Sequence, residues 1–118
     1  MSNPLMTRAR VAEAAIAAYR IVKFGSTDDV VVQGAAATDA LIGVVENVAP
    51  AAGERCDVVL FGVAEVKLGA TVIRGAPLTS DATGQAVAAV TGNQTIGRAL
   101  ASGVAGDVVE VLLSQGTV

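Results

Sequence analysis

Histidine and tryptophan are absent from the chain, and cysteine occurs once, as Cys56. Without histidine, the chain lacks the side chain that most often serves as general base or metal ligand near neutral pH. A histidine-based catalytic triad is therefore excluded, and a zinc site would need several Cys or His ligands. One cysteine also excludes an intramolecular disulfide. Because Cys56 lies in an apolar stretch, we expect a buried structural thiol.

Aromatic residues are scarce, at 3% of the sequence: Tyr19, Phe24 and Phe61. The core must therefore consist of Val, Ile, Leu and Ala. The eight basic residues are scattered singly along a chain with a net charge of −3. Nucleic-acid binding usually needs a basic patch together with stacking aromatics. The sequence therefore predicts no direct nucleic-acid partner.

Long apolar runs, nucleotide-binding motifs and metal motifs are also missing. No stretch approaches 18 charge-free apolar residues, so we predict no membrane span. Glu13 interrupts the Ala-rich stretch after Arg8 and Arg10 and argues against a secretory signal. Neither glycine-rich phosphate-binding motif occurs, and the spacing of Asp28, Asp29 and Asp81 does not fit a calcium-binding loop. We predict no catalytic residue, no cofactor and no metal ion.

Two stretches of the chain, residues 42–60 and 96–113, echo each other. Each begins with Ile-Gly, crosses a loop of small residues to Ala-Gly-acid, and continues into an apolar strand with one acid. The strand acids are Asp57 and Glu110, which would meet if the two copies paired. The interpretation that we favour places both carboxylates in solvent. The echo predicts a strand–loop–strand unit that is used twice.

Turn signals recur about every 8 to 12 residues between Val-rich strands, as in an all-β sandwich or barrel. We predict an all-β fold: a small β-sandwich or barrel, with an N-terminal arm over residues 1–17 and a single β domain over residues 18–118. At most one short helix is expected. Ala and Glu favour a helix over residues 9–18, and an arm that orders only on a partner fits the same composition. Gly62 predicts a bend in a long strand.

Five runs of the chain carry a resemblance to a known family: residues 18–25, 38–44, 58–66, 96–100 and 105–107. In order and spacing, they resemble a family of small phage head decoration proteins, also called capsid cement proteins. The family was long catalogued as a domain of unknown function. The resemblance extends from about residue 3 to about residue 115, nearly the whole chain.

The resemblance implies a compact fold of the β-tulip or sandwich type and no enzyme activity. It also implies a homotrimer on the outer surface of an icosahedral phage head, at three-fold and quasi-three-fold positions. There the protein would bind the major capsid protein and stabilise its lattice against internal DNA pressure. The expected location is the virion, after synthesis in the cytoplasm of the bacterial host.

The N-terminal arm is the predicted capsid contact, because an extended segment can add a strand to the sheet edge of a neighbour. The alternative is that residues 2–17 complete the domain's own sheet. The small-residue loops 46–53 and 101–106 are candidate contacts with neighbouring subunits. The predicted capsid-binding residues are Asn3, Pro4, Leu5, Met6, Thr7, Arg8 and Arg10.

A second functional class is a small carrier or ligand-binding β domain of a larger complex. Biotinyl and lipoyl carriers present a lysine at a hairpin tip, and the turn at residues 81–84 contains none. A third class, an accessory domain or degraded hydrolase, is disfavoured by the missing histidine.

Overall fold

The computed structural model describes residues 2–118, and these residues form nine β-strands and no helix. Their alternation of buried and exposed side chains follows the alternation of apolar and polar residues, as in half-buried strands. The strands are β1 (Asn3–Ala12), β2 (Arg20–Phe24), β3 (Val30–Gln33), β4 (Leu41–Val45), β5 (Arg55–Lys67), β6 (Pro77–Ser80), β7 (Ala86–Ala88), β8 (Gln94–Ala99) and β9 (Val108–Thr117).

All nine strands belong to one sheet, in the order β1-β3-β2-β4-β5-β9-β8-β6-β7. An additional antiparallel pairing between β1 and β5 closes the first five strands into a ring. The predicted all-β fold is therefore confirmed, and its first half is a small closed barrel.

The strands repeat one pairing scheme. Strands β1–β4 and residues 55–61 form a first unit, while residues 62–67 and β6–β9 form a second unit. In each unit the opening strand touches the third strand in parallel, at Ala12–Val31 and at Leu68–Ala86. The second strand of each unit lies antiparallel to the third and the fourth.

Individual hydrogen bonds also recur between the two units. In each, a residue at the end of the opening strand, Ala12 in β1 or Leu68 directly after β5, exchanges two backbone hydrogen bonds of 2.7 and 2.8 Å with a Gly-acid turn. These contacts join Ala12 to Gly53–Glu54 and Leu68 to Gly106–Asp107. The echo seen in the sequence is thus the visible part of a structural repeat that includes all the strands.

The first glycine of each echo copy lies where two strands come too close for a side chain. A Cβ on Gly43 would collide with the carbonyl oxygen of Val59, and one on Gly97 with that of Leu112. The second glycines, Gly53 and Gly106, have positive φ and open space around them, as turns require. The shared Ile-Gly and Ala-Gly-acid motifs therefore reflect shared backbone geometry.

Two hydrophobic clusters fill the molecule, and they differ in which unit supplies them. The smaller lies inside the first unit: Ala12, Ile16, Val22, Val31, Val45, Cys56 and Val58. The larger lies in the second unit, and the first unit contributes Ile21, Leu41, Val44 and Val59 to it. One face of the first unit therefore covers the core of the second.

Strand β5 runs unbroken through both units and bends at Gly62, whose φ is +98°. A Cβ there would come within 2.6 Å of the Asn3 carbonyl oxygen and of the Leu5 nitrogen, because β1 crosses at this point. The left-handed φ of Gly62 and the register shift of β1 opposite it mark the place of the predicted bend or bulge. Residues 9–18 do not form the helix that their composition favours, because residues 9–12 pair with β5 and β3 instead.

Candidate functional site

Strand β1 is the most exposed element of the sheet. It lies antiparallel on β5, from the pair Asn3–Val63 to the pair Val11–Arg55, with register shifts on both sides of Met6. All residues from Asn3 to Ala9 are exposed, so this part of the strand has one neighbour and no covering layer. It is held by backbone hydrogen bonds and leaves its side chains available.

The far end of the arm is firmly attached to the first unit. Val11 donates to the Asp29 carbonyl at 2.9 Å, and Ala12 is fully buried. Beyond the strand, the Glu13 carboxylate accepts from the N–H of Ser26 at 2.7 Å and from its hydroxyl at 3.0 Å. These hydrogen bonds, the backbone one first, lower the pKa of Glu13. The arm is therefore fixed near residues 11–13.

The beginning of the arm presents apolar side chains to solvent. Leu5 is 73% exposed and Met6 53% exposed. Met6 lies opposite Phe61 of β5, which is 54% exposed, and cross-strand partners share one face of the sheet. Exposed large apolar side chains in contact mark interaction surfaces more often than isolated ones do.

The middle of the arm is basic. Arg8 lies opposite Val58 and Arg10 opposite Cys56. Both arginines therefore lie on the face of the sheet that encloses the smaller hydrophobic cluster. Arg8 is exposed and Arg10 half-buried, and the Arg10 guanidinium donates to the neighbouring Ala9 carbonyl at 3.0 Å. Within residues 2–118, neither forms an ion pair.

An open cleft of about 830 Å³ borders the arm on its other face. Thr7 and Ala9 form one wall, residues 46–50 another, and Asp57 and Val59 of β5 lie at the base.

The two small-residue loops are built alike: the acid after each turn glycine accepts a hydrogen bond from the backbone N–H three residues earlier. These bonds join Glu54 to Ala51 at 2.7 Å and Asp107 to Val104 at 3.0 Å.

The described residues offer few groups with chemical reactivity. Cys56 is a free thiol with 6% exposure, as predicted, and burial, followed by the Asp57 charge, raises its pKa. No group of three or more potential metal ligands occurs in residues 2–118. Asp57 lies opposite Ala9, and Glu110 opposite Glu65, so the two echo acids do not pair with each other. No helix among these residues is long and apolar enough to cross a membrane.

The structure places the predicted site residues Asn3, Pro4, Leu5, Met6, Thr7, Arg8 and Arg10 on one strand at the surface. The rest of the predicted arm, residues 11–17, includes the core residues Ala12 and Ile16, while Met1 lies outside the described residues. Sequence reasoning missed Phe61 as a neighbour of Met6. The sequence signal for this neighbour was a bulky aromatic residue directly before Gly62, in an apolar strand whose second face needed a partner to cover it.

Comparison with known proteins identifies a family and a structural neighbour. None of the curated proteins matches the chain. The crystal structure of the head fiber gp8.5 N base of bacteriophage phi29 has a TM-score of 0.73 and 20% sequence identity. The alignment covers 96% of this chain and 97% of that chain. At this identity, the likeness shows a common fold. The phage cement protein model matches residues 3–115, nearly the whole length, and the chain therefore belongs to the phage cement protein family.

Proposed function

We propose that the protein is a decoration protein of an icosahedral phage head, which binds the outer surface of the shell and stabilises the lattice of the major capsid protein. Membership of the cement family supports a structural role in the capsid. The observation that supports attachment through the arm is the exposure of β1 from Asn3 to Ala9. The proposal includes no catalytic step and no cofactor.

The arm suits attachment because its ends have different roles. Residues 11–13 fix it to the first unit, while residues 3–9 extend along β5 with their side chains in solvent. An ordered strand loses less conformational entropy on binding than a disordered segment does. Leu5 and Met6 add apolar contact, and Arg8 and Arg10 add charge.

We further propose that the protein acts as a homotrimer at three-fold and quasi-three-fold positions. Three weak contacts joined in one assembly bind with a high effective concentration, provided that all three can engage together. A trimer at the junction of three capsomers meets this condition. Light scattering of the purified chain should give three times its mass of 11.7 kDa, alone or on decorated heads, and a monomer in both states would contradict the trimer.

Deletion of residues 2–8 tests the attachment. The deletion removes no member of either core, so the protein should fold but no longer co-sediment with expanded heads that lack it. A matched control is the double variant Ile73→Ala/Arg74→Ala, which alters an exposed apolar and an exposed basic residue elsewhere. If the truncated protein binds heads as well as the control does, the arm is not the attachment site.

A further inference from the structure

The repeat offers an internal comparison for the edge of β1. Its counterpart is the second half of β5, 56 residues later, because Ala12 corresponds to Leu68. Arg8 and Arg10 therefore correspond to Ala64 and Val66. The groups that contact the edge of β5 in the second unit show which groups the edge of β1 lacks.

In the second unit, this edge is hydrogen-bonded and this face is buried. The Glu65 N–H donates to a carboxylate oxygen of Glu46 at 2.8 Å, and the Lys67 N–H donates to the Tyr19 carbonyl at 3.0 Å. Ala64 and Val66 have no exposed surface and belong to the core that the first unit covers. A carboxylate on the edge and a layer on the face thus complete the second unit.

In the first unit, one of the two edge positions is bonded and the other is open. Val11, the counterpart of Lys67, donates to the Asp29 carbonyl at 2.9 Å, away from β5. The Ala9 N–H points the same way because backbone N–H groups alternate along a strand. No acceptor for it is found in residues 2–118. The counterpart of Glu46 is missing here, and the face that Ala64 and Val66 form in the second unit carries Arg8 and Arg10.

Within residues 2–118, the open Ala9 N–H, the missing counterpart of Glu46 and the two unpaired arginines all favour a ligand with carboxylates. A carboxylate would satisfy the Ala9 N–H as Glu46 satisfies the Glu65 N–H, and carboxylates are the partners that arginine binds most strongly. The arginines have no acidic partner among the described residues, so an incoming acid would not have to displace one. The edge of β1 at residues 7–10 is therefore prepared for an acidic, extended ligand.

We propose that the open edge of β1 binds an acidic, extended segment of the shell protein, with one carboxylate on the Ala9 N–H and others on Arg8 and Arg10. This inference rests on the proposed function and adds the chemistry of the partner. The segment adds to the outer edge of β1 at Ala9 as Glu46 adds to β5 at Glu65.

A second copy of this chain is a poorer occupant. If a second unit docked on β1 as the first unit docks on β5, the position of Glu46 would be occupied by Leu100. The position of the buried Val44 would be occupied by the exposed Arg98. Such a contact would bring no carboxylate and would add a third arginine.

The decisive measurement is the affinity of the full chain for expanded heads, compared between Arg8→Glu/Arg10→Glu and the wild type. We expect a loss of at least about tenfold, because reversal places like charges against the acidic segment. The single variants Arg8→Glu and Arg74→Glu change the net charge equally, and only the first should weaken binding. Wild-type binding should also weaken with added salt more steeply than that of Arg8→Ala/Arg10→Ala.

Hydrogen exchange supplies an independent readout: the Ala9 amide should exchange more slowly on heads than in the free protein. If the wild type does not bind heads, the proposed function fails. If it binds and both Arg8→Glu and the double variant bind equally well, the acidic-segment inference alone fails. The inference is also overturned if the charge reversal changes the mass of the free protein in light scattering, because the edge would then join copies of this chain.

Discussion

The two units share a pattern of backbone hydrogen bonds and differ in what lies against them. The second unit is completed by the first, which covers Ala64 and Val66 and caps the edge of β5 with Glu46. Within residues 2–118, no such neighbour covers the first unit, and arginines occupy the two equivalent positions. The same backbone thus supports a buried contact in one half and an exposed basic edge in the other. The difference shows that side-chain choice, rather than strand arrangement, decides which edge meets solvent.

The largest effect is expected from exchanging these side chains between the units. Val66→Arg puts an unpaired charge at a fully buried position, so it should lower the free energy of unfolding by more than about 3 kcal/mol. Arg10→Val at the open counterpart should change it by less than about 0.5 kcal/mol. Urea unfolding followed by circular dichroism measures both. Similar losses for the two variants would show that the first unit is not open in solution.

A smaller effect is expected where the units are alike. Gly43→Ala and Gly97→Ala should each cost about 1–3 kcal/mol, because the added methyl meets a partner-strand carbonyl oxygen in both units. Gly116→Ala is the matched control, since its Cβ would have Thr95 as its nearest neighbour at an ordinary 3.4 Å. A neutral result at either buried glycine would remove the equivalence of the two hairpins at that position.

The smallest effect concerns a position where the backbone is shared and the residue is not. Tyr19 has a φ of 59°, the sole positive value at a non-glycine among the described residues, and Gly75, 56 residues later, has a φ of 90°. Alanine loses about 1 kcal/mol to glycine in this conformation. We therefore expect the free energy of unfolding of Tyr19→Gly to exceed that of Tyr19→Ala. The difference should be about the same as that between the wild type and Gly75→Ala. Thermal unfolding of the four proteins tests this, and opposite signs at the two positions would contradict it.

The sequence predicted those features of the fold that depend on particular residue types. The Ile-Gly and Ala-Gly-acid motifs revealed the two hairpins because a close strand contact and a left-handed turn each need glycine. The apolar surroundings of Cys56 predicted a core thiol. The bend at Gly62 was predicted for the same reason as the turns.

The rest of the repeat could not be read from the sequence, because backbone hydrogen bonds do not specify the side chains that accompany them. Tyr19 corresponds to Gly75, and Arg10 to Val66, and the side chains in each pair have nothing in common. The Ala-rich composition of residues 9–18 favoured a helix, and the available edge of β5 outweighed that local propensity. The capsid contact of the arm stays a prediction, which rests on the ability of an extended segment to add a strand to the sheet edge of a neighbour.

The continuous strand β5 has a mechanical consequence for a protein fixed to a shell. Its thirteen residues belong to both units, so no linker separates the two cores, and neither core can open without disturbing the other. Gln115 reinforces this coupling, because its amide bridges the carbonyls of Ile42 and Leu60 at 2.8 and 3.2 Å, across the gap between β4 and β5. A force applied at the arm would pass to β5 through the hydrogen bonds of the β1–β5 pairing and then along the backbone of β5 into the second unit, so that both halves resist it together.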